Sequence, residues 1–265
     1  MISPASTSIA PARFSPGTDC VCRLRNLGVR RGEDRWLVRG LDVQIPRARL
    51  MAIVGPSGVG KSSLLKILAG SLPPGEGTVE YFGQSLSQRD SSGPAASDEV
   101  HPSRPDDFHA RIGMVFQNFL LSENLPVLTN VMCGRLSRYA WYQTFFGFPG
   151  SDYADAQRFL DEMELNQYAY ARVRDISGGE QQRVAIARAL CQEPDIYLAD
   201  EPVAHLDWPL ARRVMLRLRR ETTEHGRTVV AVMHDPALVE EFADIVLTIS
   251  RDDPSAWTWK ETSRP

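Results

Sequence analysis

Lysine occurs only three times in this chain, at Lys61, Lys66 and Lys260, so nearly all its positive charge is arginine. That scarcity reads as compositional bias, not as recognition of a partner. Neither sign of charge dominates. Thirty basic and 33 acidic residues leave a formal net charge of −3, which argues against a chain that lives on nucleic acid. Cys20, Cys22, Cys133 and Cys191 are dispersed and lack metal-ligand spacing, so free thiols are expected in place of a disulfide framework or a zinc site. No apolar run approaches the ~20 residues of a membrane span. The N-terminus has no basic region followed by an apolar one, so no signal peptide is expected. These absences predict a chain that is soluble and cytoplasmic by itself. Its 265 residues suit one large domain, or a core with an insertion.

What is present is concentrated at residues 55–63, GPSGVGKSS, a match to G-x-x-x-x-G-K-[ST]. An apolar run, Leu50 to Val54, precedes it, and Leu64, Leu65, Ile67 and Leu68 follow at helical spacing before Gly70. Glycines at 55, 58 and 60 let consecutive backbone N–H groups after Pro56, including those of Ser57 and Val59, face one concavity. The following helix dipole is aimed at the same place. Lys61 then reaches outer phosphates, the Ser62 hydroxyl suits Mg²⁺, and Ser63 completes the helix start. Chance alone gives roughly one such match per hundred chains of this length at average composition. The strand before it and the helix after it make a nucleotide phosphate site the better reading.

Along the rest of the chain, residues 1–18 read as a disordered Ser/Pro/Ala arm. CVCRLRNLGVR and WLVRGLDVQI read as strands, and residues 84–108 as a polar surface loop, with His101 in it and His109 just after it both read as solvated. RIGMVFQ is a strand ending at Gln117, after which residues 118–174 turn helical. RYAWYQTFFGFPG is dense in aromatics, either as a satellite core of that helical part or as an exposed surface for a partner. ISGGEQQRVAIARAL opens a helix at a Gly-Gly turn, IYLADEP is a buried strand carrying two acids, and RTVVAVMHD is another buried strand, ending in His234. After ADIVLTIS, residues 251–265 read as a polar tail. Apolar strands alternating with helices predict an α/β fold with a mainly parallel sheet and ligands at the strand C-terminal ends.

The phosphate loop, Gln117, ISGGE, IYLADE and His234, in that order, resemble the ATP-binding subunits of ABC transporters from Cys20 to Ser250. The resemblance implies a P-loop NTPase core (about 19–117 and 181–250) with a small antiparallel β part and an inserted helical subdomain (about 118–180). It implies that Asp200, with Ser62 and Gln117, holds Mg²⁺, and that Glu201 is the general base. Gln117 would sense the γ-phosphate, and His234 would bond that phosphate and hold Glu201. Ser177, Gly178, Gly179 and Glu180 would form a second anion site facing the Lys61 loop of another copy, with ATP as the glue, and Asp207 would run along that interface. Partners implied are a second copy of the chain, membrane permease subunits and, through them, an extracytoplasmic binding protein. The expected location is the cytoplasmic face of the inner membrane.

The chain departs from the family pattern in four places. Ile176 and Glu180 stand where Leu and Gln are usual, and His205 replaces a small residue of the interface loop. The family's adenine-stacking aromatic should lie near Arg31, where there is none; either Arg31 or Trp36 would have to serve. Residues 125–149 and YLADEPVAHLD look most like phosphonate importer ATPases. Alternatives are a different cargo, such as lipoprotein or peptide export, or a soluble ABC ATPase of a cytosolic assembly. A small-molecule P-loop kinase is disfavoured by the signature and Glu201.

Overall fold

The computed structural model of the chain describes residues 20–32, 35–82, 84–85, 108–139, 142–144 and 147–262. The expected disordered arm at 1–18, His101, the side chain of His109, and Trp141, Phe145 and Phe146 lie outside the described residues.

Two sheets organise the fold. Strands β1 (Cys20–Arg31), β2 (Arg35–Pro46), β4 (Glu76–Tyr81) and β5 (Gln84–Ser85) form an antiparallel sheet in the order β2-β1-β4-β5. The second sheet runs β10-β9-β3-β8-β7-β6, with β3 (Leu50–Val54), β6 (Ile112–Val115), β7 (Ile196–Asp200), β8 (Thr228–Val232) and β9 (Ile245–Ile249) all parallel. The expected α/β class, mainly parallel with a small antiparallel part, is what the chain adopts.

The runs in β7 and β8 are continuously apolar because both faces are covered. Alternate residues enter two different cores. Leu50, Ala52, Tyr197, Ala199, Val229 and Ala231 face a core built with α4 (Gly178–Gln192), α5 (Trp208–Thr223) and α6 (Pro236–Phe242). Met51, Ile53, Ile196, Leu198, Val230 and Val232 face a second core made with α1 (Lys61–Leu68) and the antiparallel sheet. The helices α2 (Val127–Met132) and α3 (Gly150–Glu162) pack on α4 and extend the first core. The expected helical boundary near residue 180 therefore falls inside α4.

Two expectations need correction. Residues 251–265 are not simply a polar tail, because β10 (Trp257–Glu261) pairs antiparallel with β9. Its W-T-W-K-E alternation puts Trp257 and Trp259 against the second core while Thr258 and Lys260 face outward. Two aromatics were enough to make a strand inside a polar stretch. Gln84 and Ser85, placed in the expected polar loop, instead pair with Tyr81 and Glu80, and residues 86–107 of that expected loop lie outside the described residues. In the aromatic segment, Phe148 packs against the first core and meets Tyr139 edge-on at 6.1 Å, while Tyr142 is exposed. The Tyr139 hydroxyl donates to Asp152 at 2.6 Å.

A chain of charges ties the helical part to the core. Arg135 is 1% exposed and pairs with Asp155 of α3 and with Glu193 just after α4, both at 2.7 Å. Glu193 also accepts from Arg138 at 2.6 Å and lies 3.8 Å from Arg227. Arg227 pairs with Glu221, which accepts from the Tyr197 hydroxyl at 3.0 Å and from Arg217. Arg217 in turn pairs with Glu162 of α3. Replacing Arg135 by methionine keeps most of the volume but takes one partner from each of Asp155 and Glu193, which keep Arg158 and Arg138 respectively and some contact with water. Because neither carboxylate is left uncompensated, the expected loss lies below the about 3–5 kcal/mol that stranding a buried charge costs. A urea denaturation midpoint shifted at constant slope would read it; an unmoved midpoint would show that the network contributes no net stability.

Candidate functional site

The loop between β3 and α1 owes its shape to two glycines. Gly60 has φ 105°, and a Cβ there would lie 2.9 Å from Leu37 Cβ. Gly55 has φ 152°, and a Cβ there would lie 2.5 Å from the Ile249 carbonyl oxygen. Neither position accommodates a side chain. Gly60 caps α1 without a side-chain hydrogen bond, so the first-turn N–H groups of Lys61, Ser62 and Ser63 remain directed at the loop. Val59 is buried and anchors the loop, whereas Pro56, Ser57 and Gly58 are exposed.

Lys61 is buried and folds back over the loop, donating to the carbonyls of Gly55 at 2.8 Å and Pro56 at 2.9 Å. Burial lowers its pKa, opposed by the nearby carboxylates of Glu201 and Asp200. The Ser62 hydroxyl donates to Asp200 Oδ1 at 3.1 Å. Burial raises the Asp200 pKa, and the Ser62 hydrogen bond works against that rise. A hydroxyl and a buried carboxylate, both hard oxygen donors, fit a small divalent cation that completes its shell with waters and phosphate oxygens. Among the described residues no group of three or more His, Cys, Asp and Glu side chains gathers as a metal cage.

Glu201 follows β7 directly and takes a left-handed backbone, φ 53°, which is strained for a non-glycine residue. Two groups hold it there. His234 Nε2 lies 2.8 Å from its Oε1, and Gln182 Nε2 donates to its carbonyl at 3.0 Å. Sequence reading did not identify Gln182. Its position five residues after Ser177, on the face of α4 that turns inward, was the available signal.

A cavity of about 370 Å³ lies over the loop, lined by Lys61, Ser62, Gln117 and Glu201 and also by Arg30, Arg31 and Leu37. Gln117 lies two residues beyond the end of β6 and is exposed. Trp36 does not line this cavity: the guanidinium of Arg30 sits 3.9 Å from its ring centre and that of Arg39 sits 4.9 Å away. Ser177, Gly178, Gly179 and Glu180 do not line it either. They open α4, where Ser177 is the N-cap of a capping box. Both the Ser177 N–H and its hydroxyl donate to Glu180 Oε2 at 2.7 Å. Asp207 caps α5 by accepting from the Leu210 N–H at 3.0 Å, and His205 meets Phe119 edge-on at 6.1 Å.

Known proteins share this arrangement. A family profile described as ABC transporter matches residues 38–204. The chain is 38% identical over 220 residues to a phosphonates import ATP-binding protein of Trichormus variabilis, covering 82% of this chain and 84% of that one. It is 37% identical to the protein of the same name from Thiobacillus denitrificans, covering 79% and 76%. Among solved structures, a dimeric ATP-binding cassette in a post-hydrolysis state bound to ADP and Pi superimposes with a TM-score of 0.73 at 28% identity, over 91% of this chain and 98% of that one. A dimeric bacterial ABC transporter cassette does so with a TM-score of 0.76 at 28% identity, over the same shares.

The α4 cap yields a pH test. Hydrogen bonds from Ser177 hold the Glu180 carboxyl below its usual pKa, so its contribution to stability is fully present above the unfolded-state value and disappears as pH falls through the depressed one. Glu180→Ala is expected to cost about 0.5–2 kcal/mol at pH 7. Melting curves of both proteins should converge as the solution is acidified; a gap that is constant with pH would refute the charged cap.

Proposed function

This chain belongs to the ABC transporter family of ATP-binding proteins, and from that premise we propose that it is the ATP-hydrolysing subunit of an importer for phosphonate or a related oxyanion. The observation that carries the hydrolytic reading is Glu201, a strained residue at a strand end, held by His234 and Gln182 at the mouth of the phosphate loop. Backbone N–H groups of residues 57–63 and the Lys61 ammonium bind the phosphates of ATP. Ser62 and Asp200, with Gln117 nearby, would hold Mg²⁺, which when bound neutralises charge on the phosphates. The Glu201 carboxylate takes a proton from water as its oxygen attacks the γ-phosphorus, the bond to the β–γ bridging oxygen breaks, and ADP leaves. His234, as the Nε2–H tautomer, donates to Glu201 and keeps the carboxylate aimed at the water.

The signature residues Ser177, Gly178, Gly179 and Glu180 lie outside the chain's own phosphate cavity, so they serve the nucleotide of a second copy, with Asp207 along that interface. The dimeric form of similar cassettes supports this. Hydrolysis is passed on by movement of residues 118–180 relative to the core. Beside Gln117, a depression of about 510 Å³ between β6 and α4 is lined by Met114, Phe116, Leu120, Cys133 and Gly134. Arg188 borders it and donates to the carbonyls of Leu120 at 2.6 Å and Phe119 at 2.8 Å, tying the segment after Gln117 to α4. This depression would receive a short helix of the permease. Among the described residues no helix is long and apolar enough to cross a membrane, which suits attachment through permease subunits at the cytoplasmic face of the inner membrane. The phosphonate cargo rests on relatives 33–38% identical that bear that name; a permease and an external binding protein would select it.

Glu201→Gln should lower ATP hydrolysis by about 10²–10⁴-fold while nucleotide still binds and the variant accumulates as an ATP-bound dimer. Turnover near the wild-type rate would remove Glu201 from its role. For the transport reading, a permease should co-purify with the chain from membranes. Recovery only in a cytosolic assembly would replace the importer by a soluble ABC ATPase.

A further inference from the structure

The turn that follows Gln117 is strained. Phe119 and Leu120 have φ 59° and 46°, two consecutive left-handed positions occupied by bulky side chains. Short bonds close the turn, from the Phe119 N–H to the Phe116 carbonyl at 3.0 Å and from the Leu120 N–H to that of Asn118 at 2.6 Å. Such a conformation persists only where its surroundings over-determine it. Two elements distant in sequence do so. Arg188 of α4 donates to the carbonyls of both residues. The Phe119 ring packs against the first core and meets the His205 ring edge-on, at 6.1 Å and 81°.

His205 belongs to the loop that leaves Glu201. That loop is tightly wound: the Ala204 N–H donates to the Glu201 carbonyl at 3.3 Å, and the Leu206 N–H to that of Val203 at 3.2 Å. It also rests on the signature turn, since a Cβ on Gly179 would lie 3.5 Å from the His205 carbonyl oxygen and 3.6 Å from Leu206 Cδ2. The His205 side chain is exposed, and Phe119 is the ring it meets. A small side chain at this position could not reach that ring.

Resting on the ATPase reading above, we propose that His205 is a positioning residue for Gln117. Its ring pins Phe119, so the loop running from Glu201 past the signature sets where the Gln117 segment stands. Gln117 and Glu201 line the same cavity, and their relative placement governs turnover. The backbone and lysine that grip the phosphates are not involved. Loss of the contact therefore lowers kcat and leaves KM for ATP almost unchanged.

ATP turnover and amide hydrogen exchange of the purified chain test this with His205→Ala, Phe119→Leu, their double variant and His205→Phe. An aromatic edge contact is worth about two- to tenfold, so each of the first two should lower kcat by that factor, with KM within about twofold. The double variant should be no slower than the slower single one. His205→Phe, which keeps a ring there, should restore kcat. The Phe119 and Leu120 amides should exchange faster by a similar factor in His205→Ala and at the wild-type rate in His205→Phe. The inference alone falls if the two single effects multiply in the double variant, which would set His205 to work on another surface. It falls equally if His205→Phe is no faster than His205→Ala, if KM rises in place of a fall in kcat, or if exchange at the turn does not change. A wild type that turned over no ATP would sink the ATPase reading, and this inference with it.

Discussion

Everything at the site depends on three buried parallel strands ending level with one another. β3 pairs with β8 through Ile53 and Val232, and β7 pairs with β8 through Asp200 and Val232. The phosphate loop, the two acids and the segment carrying His234 consequently leave the sheet at the same edge. That register is enforced by side chains on both faces, because a one-residue slip of any strand would exchange residues between two cores of different shape. Ser62 and Asp200 are 138 residues apart in the chain and 3.1 Å apart in space for this reason.

Against that rigid edge the site holds two groups in costly states. Asp200 is a buried carboxylate whose burial disfavours its charge, and Glu201 has a backbone conformation that costs of order 1–3 kcal/mol. Both costs are met by neighbours from other elements: Ser62 of α1 for Asp200, Gln182 of α4 and His234 after β8 for Glu201. Gln182 gives α4 a direct bond to the backbone carbonyl of Glu201, and α4 is the helix that Ser177 caps. A movement at the signature end of α4 thus has a short covalent and hydrogen-bonded route to Glu201.

The same helix also holds the helical part. Arg188 grips the carbonyls of Phe119 and Leu120, and Glu193 at its end joins the charge chain from Arg135 to Glu221. The helical part is therefore bonded to the core through α4 at several points along its length, by oriented guanidinium pairs that tolerate little change of angle. Small rotations are expected to reorganise these pairs together.

Contiguous stretches carried most of what sequence alone determined. The glycines and Lys61 of the phosphate loop, the acids closing an apolar strand, and the Ser177–Glu180 cap are each written in fewer than ten residues, because backbone conformation and helix capping are local physics. The alternation of apolar strands with helices likewise declared the parallel sheet. Other features were decided only in three dimensions. A polar-looking tail became β10 because Trp257 and Trp259 met the second core. Gln182 met the Glu201 carbonyl, and the Trp36 ring met the guanidinium groups of Arg30 and Arg39, away from the lining of the phosphate cavity. Each of these depends on which distant side chains share a surface, and local periodicity does not encode that, since it fixes the face a residue points to and not the partner it finds there.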